Sequence, residues 1–500
     1  MVKIGYTLSA FLFLAFGANA VFGQTQAQCD AAAAAGYQYC LQHGIPCIPG
    51  QPNCVPHKGN PAQCAAIYKA ALQRCKPSFN WTLLPGPSSN SPWPPARAFA
   101  AYWTDAQGFF WLFGGQALNA PAGSPGTAFP MNDFWRFTPG GPGSSGTWKL
   151  MGGSNQVGTV STSSMPGGRM ETAFAVDAQG KVWLFGGNGF GSGGSSGFLN
   201  DLWEFTPGPA GSVGTWKMMS GGNAVNNAGI YGTQGSPSTS NVPSGRSDAV
   251  CWFDSNGNFW LFGGLGFSSA VVGGGGPFLL NDLWEYSPSA NTWTWVSGPN
   301  FAAGVPVGRA GANYWSDGKG NVWMFGGVGF DAPRATVPGP LNDLWFFNST
   351  TGQWKLINGS VTVAGSVGNY GQQAVPSPNN VPPGRSLATS WVDSQGNLWL
   401  FGGNNSDVFV HGSSLVLQNL FNDLWEFKPA SNTWIWIGGS QGPGSAALPG
   451  ASPGARTGAA AWHGSFPNAW LFGGFGVNSS TSFTFPLFLF DLWDGTGNVY

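Results

Sequence analysis

The stretch NDLWEF at residues 200–205 recurs along the chain. It reads NDLWEY at 281–286, NDLWFF at 342–347 and NDLWEF again at 422–427, with looser copies NDFWRF at 132–137 and FDLWDG at 490–495. A second motif keeps step with it. WLFGG stands at 111–115, 183–187, 260–264, 399–403 and 470–474, and WMFGG at 323–327. Successive copies lie 63 to 77 residues apart, a period that belongs to blade arrays and solenoids.

Each unit holds four strand signals. In 385–437, RSLATSWVD alternates as strand one, SQG turns, and NLWLFGG is strand two. After a long loop NDLWEF is strand three, KPASN turns, and TWIWI is strand four. The first turn reads D-x-x-G in five units, from Asp105, Asp177, Asp254, Asp317 and Asp393, as a type I turn prefers. Repeated units of four antiparallel strands point to a β-propeller.

The chain resembles the kelch-repeat family in three features: the double glycine after strand two, the Asp-x-Trp of strand three and the Trp of strand four. The resemblance spans 79–500 and implies an all-β, six-bladed kelch-type propeller. The sixth unit ends at Tyr500 without a clear fourth strand, whereas FNWTLLPGP at 79–87 matches NTWTWVSGP at 291–299. An N-terminal strand is therefore expected to complete the last blade, which removes two exposed edges.

The segment before the repeats divides in two. Residues 1–23, MVKIGYTLSAFLFLAFGANAVFG, read as a secretory signal peptide, with one early cation, an apolar run and small residues. The run is short for a membrane span, and no later stretch is long and apolar enough, so a secreted, extracellular protein is expected. Residues 24–78 hold six of the seven cysteines, which allow fifteen pairings. The Ala-rich segments CDAAAAAGYQYC and CAAIYKAALQRC read as helices. A disulfide-rich helical hairpin would pair Cys29–Cys75, Cys40–Cys64 and Cys47–Cys54. A zinc site is the rival reading, though the spacing lacks a close knuckle. Cys251 reads as a buried strand residue. In a eukaryotic host the loop sequons Asn348, Asn358, Asn404 and Asn478 are expected to carry glycans.

Composition excludes several classes. Net charge is −1 and 8% of residues are charged, too few to neutralise phosphates, so no nucleic-acid partner is expected. The 80 glycines follow no three-residue period, which excludes collagen. The 38 Phe and 26 Trp exclude disorder.

Subtracting the repeat leaves few residues for chemistry. All Trp except Trp93 fall at repeat strand positions and read as blade packing. Asp133, Asp201, Asp282, Asp343, Asp423 and Asp491 keep register with Arg97, Arg169, Arg246, Arg309, Arg385 and Arg456. One structural polar link per blade is expected. Glu171 and Asp248 lie two residues after a blade Arg, where other blades place Phe99, Gly311, Leu387 and Gly458. They are the candidate catalytic carboxylates, facing the central channel as a glycosidase-type pair would. Oxidases of the galactose oxidase type also use kelch-like blades, and that branch implies copper held by two Tyr and two His. The propeller has only His411 and His463, so those ligands map to no position, and neither metal nor cofactor is expected.

Strand parity places the strand 2–3 and 4–1 connections, the long ones, on one face, where binding residues usually sit. Two loops share a motif, GIYGTQ at 229–234 and GNYGQQ at 368–373. Trp93, Tyr231 and Tyr370 are the candidate aromatic contacts, with Arg334 and His411 as polar ones. The expectation is a secreted, non-enzymatic propeller binding an extracellular glycan or protein. The alternatives are a divergent extracellular oxidase or glycosidase, and a structural wall or matrix protein. Nothing in the sequence speaks to oligomeric state.

Overall fold

The computed structural model describes Gln38 and residues 78–498, apart from segments 87–91, 119–127, 141–145, 155–157, 210–211, 268–276, 299–303, 331–336, 407–418, 445–451, 464–467 and 478–486. The signal segment, the six module cysteines with their expected helical hairpin, Arg334, His411 and Asn478 lie outside the described residues. The chain divides into two compact units, and nearly every described residue belongs to the one spanning Asn80–Thr496. The named elements are all β-strands. Among the described residues no helix is long and apolar enough to cross a membrane.

In the sheet around NDLWEF at 200–205, strands Ala173–Val176, Val182–Phe185, Leu202–Thr206 and Thr215–Ser220 pair antiparallel in that order. Four more sheets, those holding Trp135, Trp284, Trp345 and Trp425, repeat the order. In the last sheet Ala460–His463, Asn468–Phe472 and Leu492–Asn498 are followed by Ser78–Leu83 as the outermost strand. Each first strand meets the first strands of two neighbouring sheets, and the series returns on itself. Sheets radiating from a common axis in this way define a β-propeller.

The second strands carry unbroken apolar runs because both their faces are covered; Val182–Phe185 is buried throughout. Neighbouring sheets lock through one recurring ring contact. The strand-four Trp meets a strand-two Phe of the sheet before it, in the pairs Trp148–Phe472, Trp216–Phe113, Trp293–Phe185, Trp354–Phe262 and Trp434–Phe325, with centroids 5.1–5.7 Å apart. Trp81, from the outermost strand of the last sheet, meets Phe401 in the same manner at 5.5 Å.

The repeated hexapeptide is now legible residue by residue. Its Asn ties down neighbouring loops: the Asn342 amide donates to Pro382 O and accepts from Ser360 N–H. Its Asp accepts two hydrogen bonds from the register Arg, at 2.5–2.8 Å across all six copies. The Trp two residues on donates its indole N–H to the same carboxylate at 2.6–2.8 Å. The Arg completes the link by donating to the first glycine's carbonyl, as Arg169 does to Gly186 O at 3.1 Å. Both charges are fully buried in five copies, and Asp491 of the sixth keeps 9% exposure, so this saturation is required. Burial alone would raise the Asp282 pKa, but Arg246 beside it and hydrogen bonds from Tyr231 and Trp284 hold it below the ordinary value.

The double glycine marks close approach between sheets. Gly186 and Gly187 have φ of 63° and 97°. A Cβ on Gly186 would lie 2.6 Å from Arg246 O of the next sheet, and one on Gly187 would lie 2.7 Å from Met170 O. Only glycine fits. Beyond this point the strand 2–3 loops are rooted in small three-stranded sheets, such as Arg97–Ala98 with Gln116–Leu118 and Ala128–Pro130. The turn Asp also does more than turn: Asp105, Asp177, Asp254 and Asp393 accept the indole N–H of the strand-two Trp at 2.7–3.0 Å.

Candidate functional site

Six residues form a belt around the axis, one ahead of each first strand. Phe99, Glu171, Asp248, Gly311, Leu387 and Gly458 are joined N–H to C=O in an unbroken circuit, each bond 2.8–3.1 Å long. All six have φ between 53° and 66°. Glycine takes this left-handed conformation freely and other residues do so at a cost. The belt borders a central cavity of about 220 Å³. Phe99 lies over the Gly458 backbone, where an added Cβ would come 2.3 Å from its ring. Phe99 and Leu387 give the belt an apolar side.

Glu171 and Asp248 occupy adjacent belt positions, linked by Asp248 N–H to Glu171 O at 2.9 Å. Both side chains line the cavity and are largely buried. Asp248 Oδ2 accepts from the Ser247 hydroxyl at 3.0 Å. Two phenols stand deeper in the first strands. Tyr314 reaches across the axis to donate to Phe174 O at 2.9 Å, and Tyr102 hydrogen-bonds the Ser390 backbone. Burial pushes the Tyr102 phenol up to about 12 and lifts Tyr314 well above its ordinary value, so both remain protonated at physiological pH. Cys251, behind Tyr314 with Sγ 3.8 Å from its Oη, is a free thiol whose pKa burial raises far out of the reactive range. Asn313 lines the cavity too. Its Nδ2 donates to Ala388 O at 2.5 Å, while its buried Oδ1 has no hydrogen-bond partner among the described residues. Among those residues no group of three or more His, Cys, Asp or Glu is gathered as a metal cage.

The aromatic loop candidates are placed otherwise than the sequence predicts. Tyr231 is buried, and its phenol donates to Asp282 Oδ2 at 2.6 Å. The Tyr370 phenol donates to Asp423 Oδ2 at 2.7 Å and accepts from Gly442 N–H at 2.9 Å. In both loops the motif Gln then donates to the neighbouring fourth strand, Gln234 to Val296 O and Gln373 to Ile437 O, each at 2.9 Å. The shared motif thus braces an Arg–Asp link and leaves no phenol hydrogen for a ligand. Trp93 is half-buried against Trp148 and Phe472, with its indole donating to Phe490 O at 3.3 Å, so it seals a seam between sheets. Asn404 is 3% exposed and bridges Ser386 and Leu420.

The sequence reading missed Thr172, Tyr102, Asn313 and Tyr314. The signal lay in the repeat itself. Position by position, Thr172 stands among Ala100, Ala249, Ala312, Ala388 and Ala459, and Asn313 among Ala101, Ala173, Val250, Thr389 and Ala460. A polar residue in a mostly apolar column of inner-strand positions meets something specific, as Asn313 meets Ala388 O and Thr389 meets Ala459 O.

A scan against protein-family models and a search of curated proteins find no match. Among solved structures, the chain is similar to the protein YjhT, with 14% identity, 78% of this chain and 94% of that one covered, and a TM-score of 0.42. It is also similar to a fungal alcohol oxidase of the AA5 family in complex with copper, with 12% identity, coverage of 81% and 76%, and a TM-score of 0.42. The fold stands on the strand order described above.

Proposed function

We propose that the chain is a secreted, non-enzymatic binding protein whose ligand, an extracellular glycan or protein, docks at the mouth of the central cavity. The scaffold is a six-bladed kelch-type propeller, completed by the strand Ser78–Leu83. The mouth opens on the face that carries the long connections. Residues 1–23 direct export, the cysteines of 24–78 pair as disulfides, and Asn348, Asn358 and Asn478 carry glycans in a eukaryotic host.

The observation that carries the site is the left-handed backbone of Phe99, Glu171, Asp248 and Leu387. Two copies of the repeat use glycine at the same point, Gly311 and Gly458. A non-glycine residue there costs about 1–2 kcal/mol. Four such residues are kept where their side chains border one cavity, and strain of this kind gathers at ligand sites.

The test is a glycan and protein array probed with the intact secreted protein and with Phe99→Gly/Leu387→Gly, which suits the backbone already present. Lost binding in this variant, with binding retained in the opposite-face turn variant Gln107→Ala/Gln179→Ala, is the expected result. The reverse pattern would move the site to the other face.

A further inference from the structure

Among the described residues, two sheets have their outer edge covered by the chain's own loops and three have it open. We propose that the three open edges are latent pairing surfaces for a second copy of this chain, each held closed by one lysine. This goes beyond the ligand reading above and is independent of it.

The covered edges show what such an edge accepts. In the sheet of Trp284 the outer strand Thr292–Ser297 meets the loop carrying GIYGTQ. Trp293 exchanges backbone hydrogen bonds with Ser238 at 3.1 and 3.2 Å, and Gly235 N–H bonds Trp295 O at 2.8 Å. In the sheet of Trp425 the loop carrying GNYGQQ does likewise to Thr433–Gly438, with Ala374 N–H bonding Trp436 O at 2.8 Å. A segment thus adds to the edge through its backbone, as an extra strand would. The outer strands Thr147–Gly152, Thr215–Ser220 and Gln353–Asn358 have no such cover among the described residues. Where the covered strands have Trp295 and Trp436, these have Leu150, Met218 and Leu356, which are 45%, 39% and 41% exposed. Unpaired backbone beside an exposed apolar side chain is a template for association.

The lysines stand one residue earlier. Residues 79–500 hold six lysines, and Lys149, Lys217 and Lys355, all exposed, are three of them. The covered strands carry Thr294 and Ile435 instead. Pairing across the sheet does not explain this. Lys149 lies opposite Arg136 and Lys355 opposite Phe346. Lys217 faces a carboxylate, Glu204, but that one pairs with Lys181. Thr294 and Ile435, by contrast, both face a glutamate, Glu285 and Glu426. The lysine follows the open edge. Two copies meeting edge to edge would crowd these ammonium groups together, where like charges repel and burial is costly. The last sheet's outer strand, Ser78–Leu83, has Thr82 at this place and continues from residues 24–77, which lie outside the described residues.

The experiment is sedimentation velocity on the full-length protein, on Lys149→Thr/Lys217→Thr/Lys355→Thr and on Lys149→Glu/Lys217→Glu/Lys355→Glu. Both variants move the net charge further below −1, so overall repulsion alone would keep both dispersed. The Thr variant is expected to self-associate at a concentration about tenfold or more below the wild type, and the Glu variant to stay as dispersed as the wild type. Association should slow amide hydrogen exchange in Thr147–Gly152, Thr215–Ser220 and Gln353–Asn358. Melting temperatures report whether each variant folds, and Lys355→Thr against Lys355→Glu makes the same comparison at one edge if a triple variant does not. A Thr variant as dispersed as the wild type, equal association by the Glu variant, or slowed exchange confined to other segments would each overturn the proposal.

Discussion

Asp201 shows why the hexapeptide is written so often. Its carboxylate receives Arg169 twice and the Trp203 indole once, in full burial. The Arg partner is legible in the sequence because both residues recur in step. The indole bond was legible too, since residues two apart share a strand face, yet the Trp reads first as packing. Glu426 is the position where the same economy fails. The equivalent Glu204 pairs with Lys181 at 3.1 Å and Glu285 accepts from Asn258 at 2.7 Å, whereas buried Glu426 has Lys428 Nζ at 3.7 Å, a looser ion pair. Burial raises its pKa to about 7, helped by Asp393 and opposed by Lys428. The folded state therefore holds this proton more tightly than the unfolded chain, whose Glu titrates near ~4.3. Its contribution is fully present below that value and is lost as pH rises through about 7. Between pH ~5 and ~8 the wild type should lose up to about 3 kcal/mol more stability than Glu426→Gln. Denaturant midpoints of the two proteins across that range check it, and parallel curves would refute the assignment.

The connecting loops are where sequence reading went furthest astray, for a physical reason. Length and surface position mark a loop as available, but only contacts reveal that it is used internally. The loop carrying GIYGTQ folds over the sheet that follows it, with Ser238 bridging Trp293 and Tyr231 packed on Trp284 and Trp295. GNYGQQ repeats this two sheets on, through Ser377, Trp434, Tyr370, Trp425 and Trp436. The repetition that looked like a ligand motif is repetition of a brace. The strands, by contrast, were legible because apolar periodicity and turn chemistry agree locally. Tyr231→Phe keeps the ring and removes the donor to Asp282. It should lower stability by about 1.5–3 kcal/mol, as for hydrogen bonds to charged acceptors, and leave array binding unchanged. Urea unfolding measures the first part, and an unshifted midpoint would mean that Asp282 is satisfied without the phenol.

Across the molecule, the strand Ser78–Leu83 occupies the outer edge of a sheet whose other strands come from the far end of the chain. Leu84 N–H bonds Leu492 O at 2.9 Å, and Trp81 closes the ring of Trp–Phe contacts. Residues 79–87 copy a strand-four sequence that the sixth unit lacks, which is why a strand is expected there. Deleting 80–84 should cost several kcal/mol, about the loss of a buried aromatic plus an edge pairing. Calorimetry on the truncated protein tests this, and an unchanged melting temperature would show that the edge is held by something else.

The belt adds a property that no single sheet possesses. Its six hydrogen bonds run in one sense, each residue giving to one neighbour and receiving from the other. A linear repeat array frays from its ends, because the last repeat has one neighbour instead of two. This circuit has no last member. Opening any sheet breaks it on two sides at once, which discourages partial unfolding and makes loss of structure a single event. A protease should therefore meet either the whole ring or a fully opened chain, with few trimmed intermediates between them.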